Sequence, residues 1–265
     1  MYKEDSQTFI SQNPVTEYLK KAQEWLAEEE LRVKNCLHPS TLKPLVSLTE
    51  AILLTNHATI IQDQFQPLLE RGKLQDLERM YSLLARVPDT LGILRDYFEE
   101  HVKEKGLEAA KQITAISAQP PPEESPVPER RGSGTTSRPS SGPAEIDPKV
   151  YCDALLQVYN TYSTICGTTF KGESGFVASL DKACREFVNR NVLCPSGSSK
   201  SAELLAKYVD ALLRKGIKMN EEDEMDKLLN GIVNLLLYVF LASDTYLDDH
   251  FQVFRRQGRL SKVLL

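Results

Sequence analysis

The chain has 265 residues, 41% of them hydrophobic and 26% charged, and its 32 basic and 37 acidic residues leave a formal net charge of −5. That is the composition of an ordinary globular protein, sized for one large domain or two modest ones. It excludes a collagen, a disulfide scaffold and a multi-span membrane protein, and the acidic balance argues against nucleic-acid binding through a broad basic face.

The opening stretch, MYKEDSQTFISQNP, is polar and acidic where a signal peptide needs an apolar run after a basic start. A chain that begins in the cytosol is expected, with a cytoplasmic or nuclear location. Asn13 then stands as a cap with Pro14 at the first helical position, and Val15, Leu19, Ala22, Leu26 and Val33 recur at helical spacing. Glu28, Glu29 and Glu30 fall on the opposite, wet side. Leu42, Leu45, Leu48 and Ile52 form a second stripe. Ile60, Ile61, Gln64, Phe65 and Leu68 form a third, which Pro67 should kink or shorten. Leu74, Leu77, Met80, Tyr81 and Leu84 form a fourth, ended by Pro88. Asp89 is placed to cap a fifth helix with Leu91, Leu94, Phe98 and Val102 on its buried side.

Residues 117–146 hold seven of the fourteen prolines and almost no large apolar side chain. Such a segment cannot bury enough surface to offset its ordering entropy, so a disordered linker is expected there. Its end-to-end distance is roughly 30 Å, so the flanks can still pack together.

Beyond it, Asp147 and Pro148 repeat the cap-and-proline start before Tyr151, Leu155, Val158, Tyr162 and Ile165. Ser174 precedes Phe176, Val177, Leu180, Cys184 and Phe187, and Ser201 precedes Leu204, Leu205, Tyr208 and Leu212, with Gly216 as a C-terminal stop. Asn220 and the acidic run Glu221–Glu224 suit the positive end of a last helix carrying Met225, Leu228, Ile232 and Val239. No window alternates for long at period two, so the chain reads as all-α. Short connections predict antiparallel neighbours in consecutive bundles or an α-solenoid.

The five cysteines, Cys36, Cys152, Cys166, Cys184 and Cys194, include no pair separated by two residues, and His38, His57, His101 and His250 are scattered. Zinc sites need four converging ligands, so no metal site is expected, and the thiols read as free groups in a reducing compartment. Cys184, with Lys182 and Arg185 nearby, is the most tempting nucleophile, but it lies on the apolar stripe with Leu180 and Phe187 and reads as packing. The Gly132–Gly134 GSG has no flanking strand or helix and is no phosphate cradle. Arg130, Arg131, Gly132 and Ser133 could form a phosphorylation site, although a solvated linker is the plainer reading. No catalytic, cofactor-binding or metal-ligating residues are assigned, and no enzyme is expected.

Four blocks carry a specific resemblance: NPVTEYLKKA (Asn13–Ala22), GKLQDLERMYSLLARVPDTLGILRDYFEEHVKEKGLEAA (Gly72–Ala110), GFVASLDKACREFVNRN (Gly175–Asn191) and SKSAELLAKYVDALLRKG (Ser199–Gly216). In this order they resemble the second and third N-terminal repeats of cullins, in particular those of SCF-type ubiquitin ligases. The resemblance implies consecutive five-helix repeats in a solenoid-like stalk. It divides the chain into a bundle at 1–116, the linker at 117–146, a second bundle at 147–242 and a divergent tail at 243–265. It also implies a non-catalytic scaffold in ubiquitin-dependent protein breakdown, with protein partners such as stalk-binding regulators and neither nucleic acid nor membrane as a partner.

The family's first repeat, which docks the adaptor, and its C-terminal domain, which docks the RING-box protein, have no counterpart in these blocks. A segment unable to bridge the two is therefore expected. After about Val233 the family pattern is expected to stop, and a divergent or unspliced reading frame would explain that. The rival reading is an independent helical interaction module regulated through the linker.

Overall fold

The computed structural model describes residues 2–117, 146–195, 200–214 and 222–241. Within them the chain forms eleven α-helices: α1 (Tyr2–Gln12), α2 (Val15–Cys36), α3 (Leu42–Leu53), α4 (Ala58–Asp63), α5 (Phe65–Glu70), α6 (Leu74–Leu84), α7 (Leu91–Ser117), α8 (Pro148–Thr168), α9 (Ser174–Asn189), α10 (Lys200–Arg214) and α11 (Glu222–Leu241). Single 3₁₀ turns stand at Pro39–Thr41 and Thr55–His57. The only β pairing among the described residues is one isolated bridge between Asn191 and Cys194. The fold is all-α, as the periodicity predicts.

Two compact units divide the chain: Met1–Lys103 with Asn160–Ala183, and Glu104–Tyr159 with Cys184–Leu265.

In the first unit α1, α2 and α3 pack together, and α2 and α5 pack on α6. Tyr18, Leu19, Ala22, Leu26 and Val33 of α2 are all buried. Tyr18 was absent from the expected stripe, yet it is fully buried and its hydroxyl donates to the Leu53 carbonyl at 2.7 Å. That carbonyl sits in the last turn of α3, where no intrahelical partner is available.

The second stripe is corrected. Leu42 and Leu48 are 41% and 59% exposed, and Thr49 and Leu53 are the side chains α3 buries. The helix is apolar on more than one side, so periodicity could not choose the face. Thr49 goes inside at little cost because its hydroxyl donates to the Leu45 carbonyl at 2.9 Å.

The third stripe breaks as expected, at Gln64 between α4 and α5. Pro67 then lies in the first turn of α5, where no amide donor is needed, and its ring would have clashed with the carbonyl of Asp63 in a continuous helix. Ile61, Phe65 and Leu68 are buried, but Ile60 is 45% exposed.

Asp89 is not the cap of α7. It adopts φ +63° in a left-handed turn, and Thr90 directly precedes the helix, its hydroxyl donating to the Leu84 and Val87 carbonyls at 2.6 and 2.9 Å.

The centre of the first unit is aromatic. Phe170 and Phe176 stack at 4.0 Å between centroids, and Phe98 meets them edge-on at 5.5 and 5.6 Å. Phe65 and Tyr81 close the cluster at 5.8–6.4 Å. Ser174 is the first residue of α9, not its cap. Glu173 takes that role, accepting from the Phe176 amide at 3.0 Å while Arg95 clamps it through two bonds at 2.8 and 3.3 Å.

In the second unit Asp147 caps α8 as expected, its carboxylate accepting from the Lys149 amide at 2.9 Å. Tyr151, Cys152, Leu155 and Leu156 of α8 are buried, as are Leu204, Leu205 and Tyr208 of α10. Asn191 ties the end of α9 to α8: its amide donates to the Tyr151 hydroxyl at 3.1 Å and the Phe187 carbonyl at 2.9 Å. Its side-chain oxygen accepts from the Leu193 and Cys194 amides at 2.9 and 3.0 Å.

α11 runs through Val233 without interruption, and Ile232, Leu235, Tyr238 and Val239 are buried. Asn234, the one polar residue in this apolar run, donates to the Tyr159 hydroxyl at 2.7 Å. The expected stop at Gly216 and cap at Asn220, residues 118–145 of the linker and the tail at 243–265 lie outside the described residues.

Candidate functional site

Cys152, Cys166, Cys184 and Cys194 are buried, Cys36 is exposed, and none of the five is in a disulfide. Burial pushes the Cys166 thiol up to about 12 and raises Cys152 and Cys194 as well, so these three are held as neutral thiols at neutral pH. Their bonds are those of packed groups: Cys152 to the Leu204 carbonyl at 3.9 Å and Cys166 to the Phe176 carbonyl at 3.8 Å. Cys184 is wholly inaccessible on the buried face of α9, while Lys182 and Arg185 are exposed. Lys182 lies 3.5 Å from Glu99.

Sequence reasoning did not foresee the approach of Ser6 to His57. The Ser6 hydroxyl lies 3.2 Å from His57 Nε2, the spacing of a nucleophile and its base. Both side chains are enclosed, at 1% and 4% exposure, and the Tyr18 ring closes on the imidazole edge-on at 5.5 Å. Burial lowers the His57 pKa. No substrate reaches this pair, so it serves as a polar pin between α1 and the turn before α4. No spacing rule links residues 6 and 57, so only the fold could reveal it.

The other described histidines, His38 and His101, are dispersed, and His250 lies outside the described residues. His101 Nε2 meets the Tyr162 hydroxyl at 2.8 Å, and His38 Nδ1 accepts from the Ser40 amide at 3.3 Å to cap the turn after α2. No group of three or more His, Cys, Asp or Glu side chains among the described residues is arranged to hold a metal. Glu222, Asp223 and Glu224 open α11, while Glu221 and the segment holding Arg130–Gly134 lie outside the described residues.

What the first unit does offer is surface. Pro39–Asp63 is long and apolar enough by composition to cross a bilayer, and 28% of its most apolar window is buried. The 3₁₀ turn at Thr55–His57 interrupts it, and it places Thr49, Leu53, Leu54, His57 and Ile61 in the core, so it is built as a bundle segment. Where α2 and α3 diverge from their connecting turn, a groove of about 760 Å³ opens between Val33 and Lys34 on one side and Pro39, Leu42, Lys43 and Val46 on the other.

A helical stack with buried thiols and an enclosed Ser–His pair is a frame, and comparison with known proteins gives it a lineage. Residues 1–240 match the cullin alpha solenoid domain. The chain belongs to the cullin family. It is 39% identical over 240 residues to Cullin-1 of Dictyostelium discoideum, covering 90% of this chain and 28% of that protein. Cullin-1 of Schizosaccharomyces pombe is 39% identical over 238 residues, and Cullin-1 of Caenorhabditis elegans 32% over 244, again covering 90% of this chain and 28% of theirs. The chain thus spans little more than a quarter of the length of these cullins. The match also reaches residue 240, past the expected departure at Val233, because α11 keeps its apolar spacing to that point.

Proposed function

We propose that this cullin chain is a non-catalytic scaffold segment of an SCF-type cullin-RING ubiquitin ligase, serving ubiquitin-dependent protein breakdown. The observation that carries the reading is the cullin solenoid match over residues 1–240, together with the Cullin-1 relatives at 39% identity. The mechanism is rigid spacing. Packed helices hold partner-binding surfaces at set positions, and a few exposed residues supply most of the binding energy. Its partners are proteins of the ligase assembly, including regulators that lie along the stalk. Five cysteines outside any disulfide support a reducing compartment, cytoplasm or nucleus.

This 265-residue stretch by itself does not join an adaptor to a RING-box protein. It spans 28% of the Cullin-1 relatives, and the resemblance places both docking regions elsewhere in the family's sequence. Mixed with adaptor, RING-box protein, ubiquitin-activating and ubiquitin-conjugating enzymes, it should give no substrate ubiquitination, and efficient transfer would overturn that statement. Tagged and recovered from cells, it should bring cullin-ligase components with it. Recovery of unrelated partners alone would instead make it an independent interaction module.

A further inference from the structure

We infer that the groove between α2 and α3 is a docking site for an amphipathic helix of another protein, one whose apolar stripe is flanked by carboxylates. The shape comes from two helix faces. Lys34 and Val33 stand on the last turns of α2, and Leu42, Lys43 and Val46 on the first turns of α3, opening the groove of about 760 Å³. Val33, Pro39, Leu42 and Val46 give it an apolar strip, with Ser40 and Ser47 also in the lining; Val33 is buried, Leu42 is 41% exposed, and Leu37 in the connecting turn is 46% exposed. An apolar stripe recurring at three- and four-residue steps is what such a groove accepts.

Charge then selects the partner. Several basic residues of this bundle are already engaged: Lys20 with Glu17, Lys21 with Glu24, Arg32 with Glu29, and Arg86 with both Glu30 and Glu50. Lys34 on α2 and Lys43 on α3 line the groove, both exposed and without a carboxylate partner among the described residues, whereas Glu30, which also lines it, is held by Arg86. An apolar strip with such a cation on each helix complements a helix with Glu or Asp beside its apolar stripe. The trough is also held ready. His38 caps the intervening turn through the Ser40 amide and lies 2.8 Å from the Ser40 hydroxyl, while Arg86 anchors α2 to α3 through Glu30 and Glu50 at 2.8 and 2.6 Å. Pre-organisation of this kind lowers the entropy lost on docking. A concave trough favours a helix over a flat lipid surface.

The test uses the whole chain and two fluorescently labelled helical peptides with the same leucine stripe, one flanked by glutamates and the other by lysines. Anisotropy should show saturable binding of the glutamate peptide and at least tenfold weaker binding of the lysine peptide. Leu42→Asp should weaken the glutamate peptide at least tenfold. The double reversal Lys34→Glu with Lys43→Glu should invert the preference. All three positions are exposed, so helicity by circular dichroism should stay unchanged. Equal affinity for both peptides, or a preference that survives the double reversal, would overturn the proposal. So would self-association of the chain abolished by Leu42→Asp, which would seat a second copy in the groove. Anionic vesicles that bind the chain and displace the glutamate peptide would assign the face to a membrane and overturn it too.

Discussion

At the scale of single residues, polar groups do the positioning. Tyr18, His57, Thr49 and Asn191 are buried polar side chains, and no buried side-chain nitrogen or oxygen among the described residues lacks a hydrogen-bond partner. Tyr18, His57 and Asn191 each tie two particular elements together, while Thr49 bonds within α3, and an unmade bond in the interior would cost about 1–3 kcal/mol. His57 makes this pH-dependent. Burial lowers its pKa in the fold, so the unfolded chain binds the proton more tightly. The stabilisation from neutral His57 is complete above the unfolded value, near 6.5, and is lost as pH falls from there through the lower folded value. Denaturation midpoints should decline as pH falls from about 7 toward 5, and His57→Gln should flatten that slope. A slope unchanged by the substitution would assign the effect to other groups.

At the scale of elements, close approach decides what α7 and α9 tolerate. A methyl group at Gly106 of α7 would run into the ring of Phe187, which is fully buried on α9. Glycine inside a helix ordinarily costs up to about 1 kcal/mol relative to alanine, so Gly→Ala normally stabilises. Here the overlap reverses the sign, and Gly106→Ala should destabilise by about 1–3 kcal/mol, measured by urea unfolding. Pairing it with Phe187→Leu should recover part of the loss, because the smaller side chain vacates the space. The element scale is also where sequence reading reached furthest and then stopped. Leu19, Ala22, Leu26 and Val33 were legible as a buried face because α2 has one apolar side. Leu42 and Leu48 were misplaced because α3 has more than one, and only its neighbours choose between them. Glu173 was overlooked as the cap of α9 because a serine follows it, and its partner Arg95 lies 78 residues away in sequence.

At the scale of the molecule, the thiols give each unit its own reporter. Cys166 belongs to the first unit, and Cys152, Cys184 and Cys194 belong to the second. The native chain should show one fast-reacting thiol, Cys36, and all five should react once it is unfolded. Along a denaturant series Cys152, Cys184 and Cys194 should become reactive together, with Cys166 following the stability of the first unit. Several fast thiols in the native state would contradict the burial described for them. For a scaffold, such inert interiors leave function to the surface, which is where the groove between α2 and α3 lies.

The sequence by itself determined the helices, their apolar spacing, the break near Pro67, the proline start of α8 and the lineage, because these depend on local periodicity and on residues adjacent in the chain. Only the tertiary structure decided which face of α3 is buried, that Ser6 meets His57, that Glu173 caps α9 where Ser174 was expected, and that Lys34 and Lys43 line one groove between α2 and α3. These are choices among partners distant in sequence. Side-chain bonds and close packing make them once the chain has folded, and no periodicity records them.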